Sequence, residues 1–218
     1  MKLYPAILTG DIQQVQHYLD IANSLEDCDT VHIDLIDGFF ADNMTVTPAD
    51  LISCEFGDLK CDLHIMAVDP EDLVNEIVEY AALLPVRAII AQVEKMGSEH
   101  SYIEAVRRQG WQAGLSLDID TAVDSVDSSV WPQLQIVQVM GVHAGEQGQA
   151  FINRSLSIAD ELVAMRKLHQ LQFELLVDGG VRPDLISKLT AHHVDSCAVG
   201  SFIWNSSEPQ EKWQEISR

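Results

Sequence analysis

Basic residues are scarce in this chain. Lys and Arg number 13 against 34 Asp and Glu in 218 residues, a formal net charge of −21. That balance argues against nucleic-acid binding, which needs a basic footprint to neutralise phosphates. It argues equally against electrostatic docking on an anionic membrane. An anionic small molecule stays open, because backbone N–H groups and a metal ion can make a locally positive site inside an acidic shell. Cysteine is scarce too: Cys28, Cys54, Cys61 and Cys197 show no CxxC spacing. With 47% hydrophobic residues the chain needs no disulfide framework, so reduced thiols in a cytoplasmic protein are expected. No apolar run approaches the roughly 18 residues of a membrane span, and Lys2 is followed by none of the length a secretory leader requires. Linkers, low-complexity stretches and a convincing internal repeat are also missing, which predicts one domain over 1–218.

What is present is an alternation of strand and helix patterns. Short apolar runs predict strands at 4–8, 30–35, 60–66, 87–93, 112–117, 135–142, 173–177 and 195–199. Helical spacing and start or stop residues predict helices between them. These run over 12–24 behind an Asp11 cap, 48–54 opened by Pro48, and from Asp69-Pro70 to about 83 with Asp69 as cap. Others run from Ser98 to a stop at Gly110, over 121–128 and 156–170, from Arg182-Pro183, and over 208–216. Eight strands alternating with helices imply parallel pairing, and runs such as Ala88-Ile89-Ile90 fit a sheet covered on both faces. The expected fold is therefore α/β, a single (β/α)8 TIM barrel; a doubly wound open sheet is the competitor.

Two strands carry unexpected polarity. His32 and Asp34 alternate with Val31, Ile33 and Leu35, so both side chains share one face of an apolar strand. Such a pair is costly unless something satisfies it. Taken alone, a structural hydrogen bond serves as well as a metal. His64 and Asp178 lie at the ends of two further strands, and in a barrel those C-terminal ends hold the active site. Convergence of His32, Asp34, His64 and Asp178 on one divalent metal is the reading this pattern supports. Two imidazoles and two carboxylates suit Zn²⁺, Fe²⁺, Mn²⁺ or Co²⁺ alike. Blander roles fit other polar residues. Asp37 reads as a loop cap, His192-His193 as a helix end, His143 as a loop residue, and the acidic run at 118–127 as a solvated face.

The chain resembles the ribulose-phosphate 3-epimerase family. The matching pieces are Pro5-Ala6-Ile7-Leu8, His32-Ile33-Asp34-Leu35-Ile36-Asp37-Gly38, Asn43-Met44-Thr45, Asp62-Leu63-His64-Ile65-Met66, Met140, Val177-Asp178-Gly179-Gly180-Val181 and Val199-Gly200-Ser201. Their order and spacing carry the likeness across almost the whole length. The resemblance implies a ribulose-phosphate-binding TIM barrel with one divalent metal on His32, Asp34, His64 and Asp178. It also implies that Asp34 and Asp178 act as acid and base at C3 of a phosphorylated ketose, one removing a proton and the other returning one to the opposite face. The metal offsets the enediolate charge between the two transfers. Met66 and Met140 match positions near the reacting carbons, where soft packing excludes water. Gly145 and Gly148 fall in the loop after the sixth strand, and Gly179, Gly180, Gly200 and Ser201 match a backbone phosphate cradle. A small-molecule sugar phosphate and a homo-oligomer are the partners so implied.

Several family positions have changed. Ala6 stands for a serine, Ile36 for a methionine, Phe39 for a histidine, and Gln92 for a histidine, while Glu94 is kept. The loop after the sixth strand reads Ala144-Gly145-Glu146-Gln147-Gly148-Gln149, without the family's proline and aromatic residue, and Glu146 would repel a phosphate unless it points outward. Asp118-Ile119-Asp120 replaces an asparagine-proline-glycine turn. These changes spare the four metal positions and fall on substrate-gripping ones. Retained proton chemistry on a shifted sugar, such as a hexulose phosphate, is therefore one expectation, and a non-catalytic sugar-phosphate sensor is an alternative. A decarboxylating or aldol-type barrel is disfavoured, since Lys60 lies at the wrong end of its strand.

Overall fold

The computed structural model describes residues 1–145 and 148–217. Eight parallel strands close on themselves in chain order. They are β1 (Lys2–Ile7), β2 (Thr30–Ile36), β3 (Lys60–Met66), β4 (Val86–Gln92), β5 (Gln112–Leu117), β6 (Ile136–Met140), β7 (Glu174–Asp178) and β8 (Ser196–Val199). β8 pairs with β1, from Lys2 against Ser196 to Pro5 against Val199, so no sheet edge is left. The helices on the outside are α1 (Ile12–Ala22), α2 (Pro48–Leu51), α3 (Glu71–Glu79), α4 (Glu99–Arg108), α5 (Arg154–Leu168), α6 (Pro183–Ala191), α7 (Ser201–Trp204) and α8 (Pro209–Ser217). This is the (β/α)8 TIM barrel expected from the alternation.

Side-chain alternation divides the core in two. Outward-facing strand residues such as Ile33, Leu63 and Ile89 join helix residues such as Leu19, Val74 and Tyr102 in one continuous apolar shell. Inside the barrel a smaller apolar cluster consists of Tyr4, Ala6, Ala88, Ile90, Ile136, Leu176 and Ala198. The rest of the interior is polar: His32, Asp34, Asp62, His64, Gln92, Ser116, Gln138, Asp178 and Ser196 are all buried. At the N-terminal end, the pairing of β3 with β4 slips between Cys61–Val86 and Asp62–Ala88. The extra residue is Arg87, and a bulge of this kind re-aims a side chain. Its guanidinium is bidentate on Asp62, with the Nε bond at 2.7 Å, lies 3.9 Å from Glu174, and covers the Tyr4 ring.

Sequence and structure differ at a few places. Asp69 does not cap α3: its backbone is left-handed (φ 52°), its N–H goes to the Lys95 carbonyl, and Pro70 takes the cap position without a side-chain bond. Behind β5 there is no α-helix over 121–128. A 3-10 turn, Val123–Ser125, stands there instead and a second, Trp131–Gln133, follows; the Asp127 N–H is taken by the Glu99 carboxylate and Asp127 turns back on Ser129, which ends helical bonding. α7 was not expected; four residues are too few to show a periodicity. Among the described residues, no helix is long and apolar enough to cross a membrane.

Candidate metal centre and active-site cleft

Strand register assembles the site. Asp34 of β2 lies directly beside His64 of β3. His32 is two residues before Asp34 and faces the same interior. Asp178 ends β7, beside Met140 of β6. The four residues expose 7% of their surface or less, and one nitrogen or carboxylate oxygen from each lies within 4.8 Å of all the others. His64 Nδ1 and Asp34 Oδ1 share a hydrogen bond of 2.8 Å. Asp178 Oδ2 is 3.6 Å from both His64 Nδ1 and His32 Nε2, and His32 Nε2 is 3.8 Å from Asp34 Oδ1. These last three separations are too long for hydrogen bonds.

Charge and burial pull against each other here. Burial first, then the Asp178 charge, push the Asp34 carboxyl above the usual range, against the two histidines. Burial acts the same way on Asp178, but His32 and His64 outweigh it and hold that carboxyl low. For His32, burial favours the neutral ring, yet Asp178, Asp34 and Asp62 together raise its pKa. Its two ring nitrogens have no hydrogen-bond partner among the described residues although the ring is fully buried. An orphaned imidazole beside two carboxylates and a second imidazole is the donor set a divalent cation needs. On that observation, His32, Asp34, His64 and Asp178 fit a metal.

A cleft opens above these four at the C-terminal rim. Asp34 and Asp178 line it together with Met66, Met140, Gly145, Gly148, Gly179, Gly180, Gly200 and Ser201. Ala6, Leu8, Val142 and Val181 add to its apolar side. Gly179 (φ 102°) and Gly180 (φ 69°) have left-handed backbones, and a Cβ there would meet Val142 at 2.5 Å and the Phe151 backbone nitrogen at 2.8 Å. Only glycine admits that close approach. The loop after β6 is tethered to the loop after β2, where Asn43 Nδ2 donates to the Gly145 carbonyl at 2.9 Å. Glu146 and Gln147 lie outside the described residues.

The blander assignments also resolve. Asp37 caps its loop, accepting from the N–H groups of Phe39, Phe40 and Val68. His192 ends α6 and pairs with Asp160 at 2.7 Å. His143 is exposed and is not among the residues lining the cleft. Gln138 was passed over in the sequence. Its amide nitrogen donates to Asp178 Oδ2 at 3.3 Å and lies 3.3 and 3.2 Å from the two ring nitrogens of His64. The signal was the one His32 and Asp34 carry: a polar residue interrupting Ile136-Val137-Gln138-Val139-Met140 on the face Met140 uses.

A parallel eight-stranded barrel with two histidines and two aspartates converging at its C-terminal rim defines a TIM barrel with a candidate metal centre. The chain belongs to the Ribulose-phosphate 3 epimerase family, whose pattern it matches over residues 2–204. It is 32% identical to a ribulose-phosphate 3-epimerase of Treponema pallidum over 181 residues, 82% of this chain and 80% of that one. A ribulose-phosphate 3-epimerase of Bacillus subtilis is 28% identical over 99% of this chain and 98% of its own length. In structure it superposes on 3-hexulose-6-phosphate synthase from Salmonella typhimurium with a TM-score of 0.72 over 100% of this chain and 97% of that one. At 14% identity that likeness speaks for the fold alone.

Proposed function

We propose that this protein epimerises a phosphorylated ketose at C3, with Asp34 and Asp178 as the acid–base pair. The single observation that carries the reading is the buried His32–Asp34–His64–Asp178 cluster at the floor of a cleft whose rim is glycine backbone. The hydrogen on C3 is next to the C2 ketone. One aspartate takes it, leaving an enediolate, and the other delivers a proton to C3 from the opposite face. Asp34 and Asp178 come from β2 and β7, non-adjacent strands of the barrel, so each can address a different face of a substrate lying between them. A divalent cation held by the four residues would supply Lewis-acid stabilisation of the charge that develops on the ketose oxygen. Met66 and Met140 flank the reacting carbons and keep water out. The phosphate rests on Gly179, Gly180, Gly200 and Ser201, where neutral backbone donors serve an anion in a strongly acidic chain.

Ribulose 5-phosphate is the substrate the family supports, and Ala6 in the cleft lining leaves room for a different ketose. The test is solvent exchange. The metal-loaded protein is incubated in D₂O with ribulose 5-phosphate and with hexulose phosphates, and the C3 proton is followed by NMR. Exchange with epimer formation on one sugar is expected, lost in both Asp34→Asn and Asp178→Asn while the fold persists. Full exchange in either variant would remove that aspartate from the mechanism, and no exchange on any sugar would overturn the activity.

A further inference from the structure

We infer that Gln92, backed by Glu94, is the positioning residue that selects which nitrogen of His64 faces the metal. The side chain of Gln92 is fully buried and its amide orientation follows from its neighbours. With its oxygen toward His64, the amide nitrogen donates to the Ser116 carbonyl at 3.1 Å and to Glu94 Oε2 at 2.8 Å. The oxygen then accepts from Ser116 Oγ at 3.1 Å and from His64 Nε2 at 3.2 Å. The opposite orientation would set the amide oxygen against the Glu94 carboxylate and the Ser116 carbonyl, neither of which can donate to it.

The consequence for His64 is tautomeric. A carbonyl oxygen facing Nε2 requires a proton on Nε2, which leaves Nδ1 as the nitrogen whose lone pair serves a metal; without a metal, the 2.8 Å contact between Nδ1 and Asp34 Oδ1 holds a proton instead. Nδ1 is the atom that lies 2.8 Å from Asp34 Oδ1 and 3.6 Å from Asp178 Oδ2, inside the cluster. Gln138 does not compete for this choice. Its amide nitrogen is almost equidistant from the two ring nitrogens, 3.3 Å from Nδ1 and 3.2 Å from Nε2, so it favours neither. Metal-bound histidines are commonly oriented by a carboxylate on the other nitrogen, and such partners contribute about 10–100-fold in metal affinity. Here an amide is interposed between the carboxylate and the ring. Glu94 is itself held from the loop after β5, accepting from the Asp118 N–H at 2.8 Å and the Thr121 hydroxyl at 2.6 Å. The sequence Glu94–Gln92–His64 thus connects a surface loop to a ligand in the barrel interior.

The inference rests on the metal reading of the same four residues, and the experiment separates the two. Zn²⁺ affinity is measured by chelator competition on the wild type, on the near-isosteric Gln92→Met, and on the exchanged pair Gln92→Glu with Glu94→Gln. The exchanged pair conserves charge and keeps an acceptor facing Nε2. Gln92→Met is expected to lose 10–100-fold in affinity, and the exchanged pair to recover most of it. In the zinc-loaded wild type, a ¹H–¹⁵N spectrum should show the His64 Nε2 proton shifted downfield by its hydrogen bond, moving upfield in Gln92→Met. Equal affinity and an unmoved Nε2 proton in Gln92→Met would overturn the positioning role alone. A wild type that takes up no Zn²⁺, Fe²⁺, Mn²⁺ or Co²⁺ would overturn the metal reading, and the positioning role with it.

Discussion

Arg87 owes its inward position to a single slipped residue between β3 and β4, and it neutralises a carboxylate that has no access to water. Asp62 is fully buried, and burial pushes its carboxyl above the usual range while the guanidinium opposes that shift. Removing one partner of such a pair leaves an uncompensated buried charge, which costs about 3–5 kcal/mol. Arg87→Met should therefore lower stability by that order in denaturant unfolding. The double variant Asp62→Leu/Arg87→Met should recover much of the loss, because the pair as a whole contributes far less than its breakage costs. A loss in Arg87→Met below about 1 kcal/mol would mean that water reaches Asp62. The same residue-scale logic governs the cluster above it, where the His32 ring nitrogens have no hydrogen-bond partner among the described residues while Gln92 satisfies one nitrogen of His64.

Among the elements, α2 shows how a short helix is held. Four residues give it little cooperativity of its own. Thr47 and Asp50 close its first turn reciprocally: Thr47 Oγ1 accepts from the Asp50 N–H at 3.2 Å, and Asp50 Oδ2 accepts from the Thr47 N–H at 2.8 Å. Thr47→Ala should cost about 1 kcal/mol. The N–H and hydroxyl of Thr47 hold the Asp50 carboxyl below its ordinary value. A depressed folded-state pKa stabilises at pH above the unfolded value and ceases to do so as pH falls through the folded one. The gap between wild type and Thr47→Ala, followed by thermal melts, should accordingly narrow on acidification below the usual carboxylate range. A gap that widened there would contradict the assignment. The Thr-x-x-Asp signature before Pro48 was present in the sequence. Asp69 illustrates the reverse case, since a cap-like residue was turned left-handed by a long-range bond to Lys95.

At the scale of the whole molecule, barrel closure carries the energetics of the site. Four polar side chains from three strands converge in a buried space. A ligand that binds only this folded arrangement stabilises it by mass action, about 2.7 kcal/mol when present at 100 times its Kd. Saturating Zn²⁺ or Mn²⁺ should raise the melting temperature of the chelator-treated protein, and Asp178→Asn should abolish most of that rise. An unchanged midpoint in the wild type would contradict the metal centre. The net charge of −21 adds a constraint at the same scale. With so few cations, the proposed phosphate site relies on glycine backbone at the rim rather than on a lysine or arginine clamp.

Local patterns in the sequence determined the strand–helix alternation, the barrel, and the inward face of β2, because strand periodicity and turn chemistry are properties of neighbouring residues. The same parity rule placed His32 with Asp34 and would have placed Gln138. Tertiary structure decided the rest. The bulge that turns Arg87 inward depends on the register between two strands, and the loss of a helix over 121–128 involves the long-range bond from the Asp127 N–H to Glu99. The link from Glu94 through Gln92 to His64 depends on side chains of different strands meeting inside a closed barrel. No spacing along the chain encodes distances of that kind; they arise when closure brings remote strand ends to one rim.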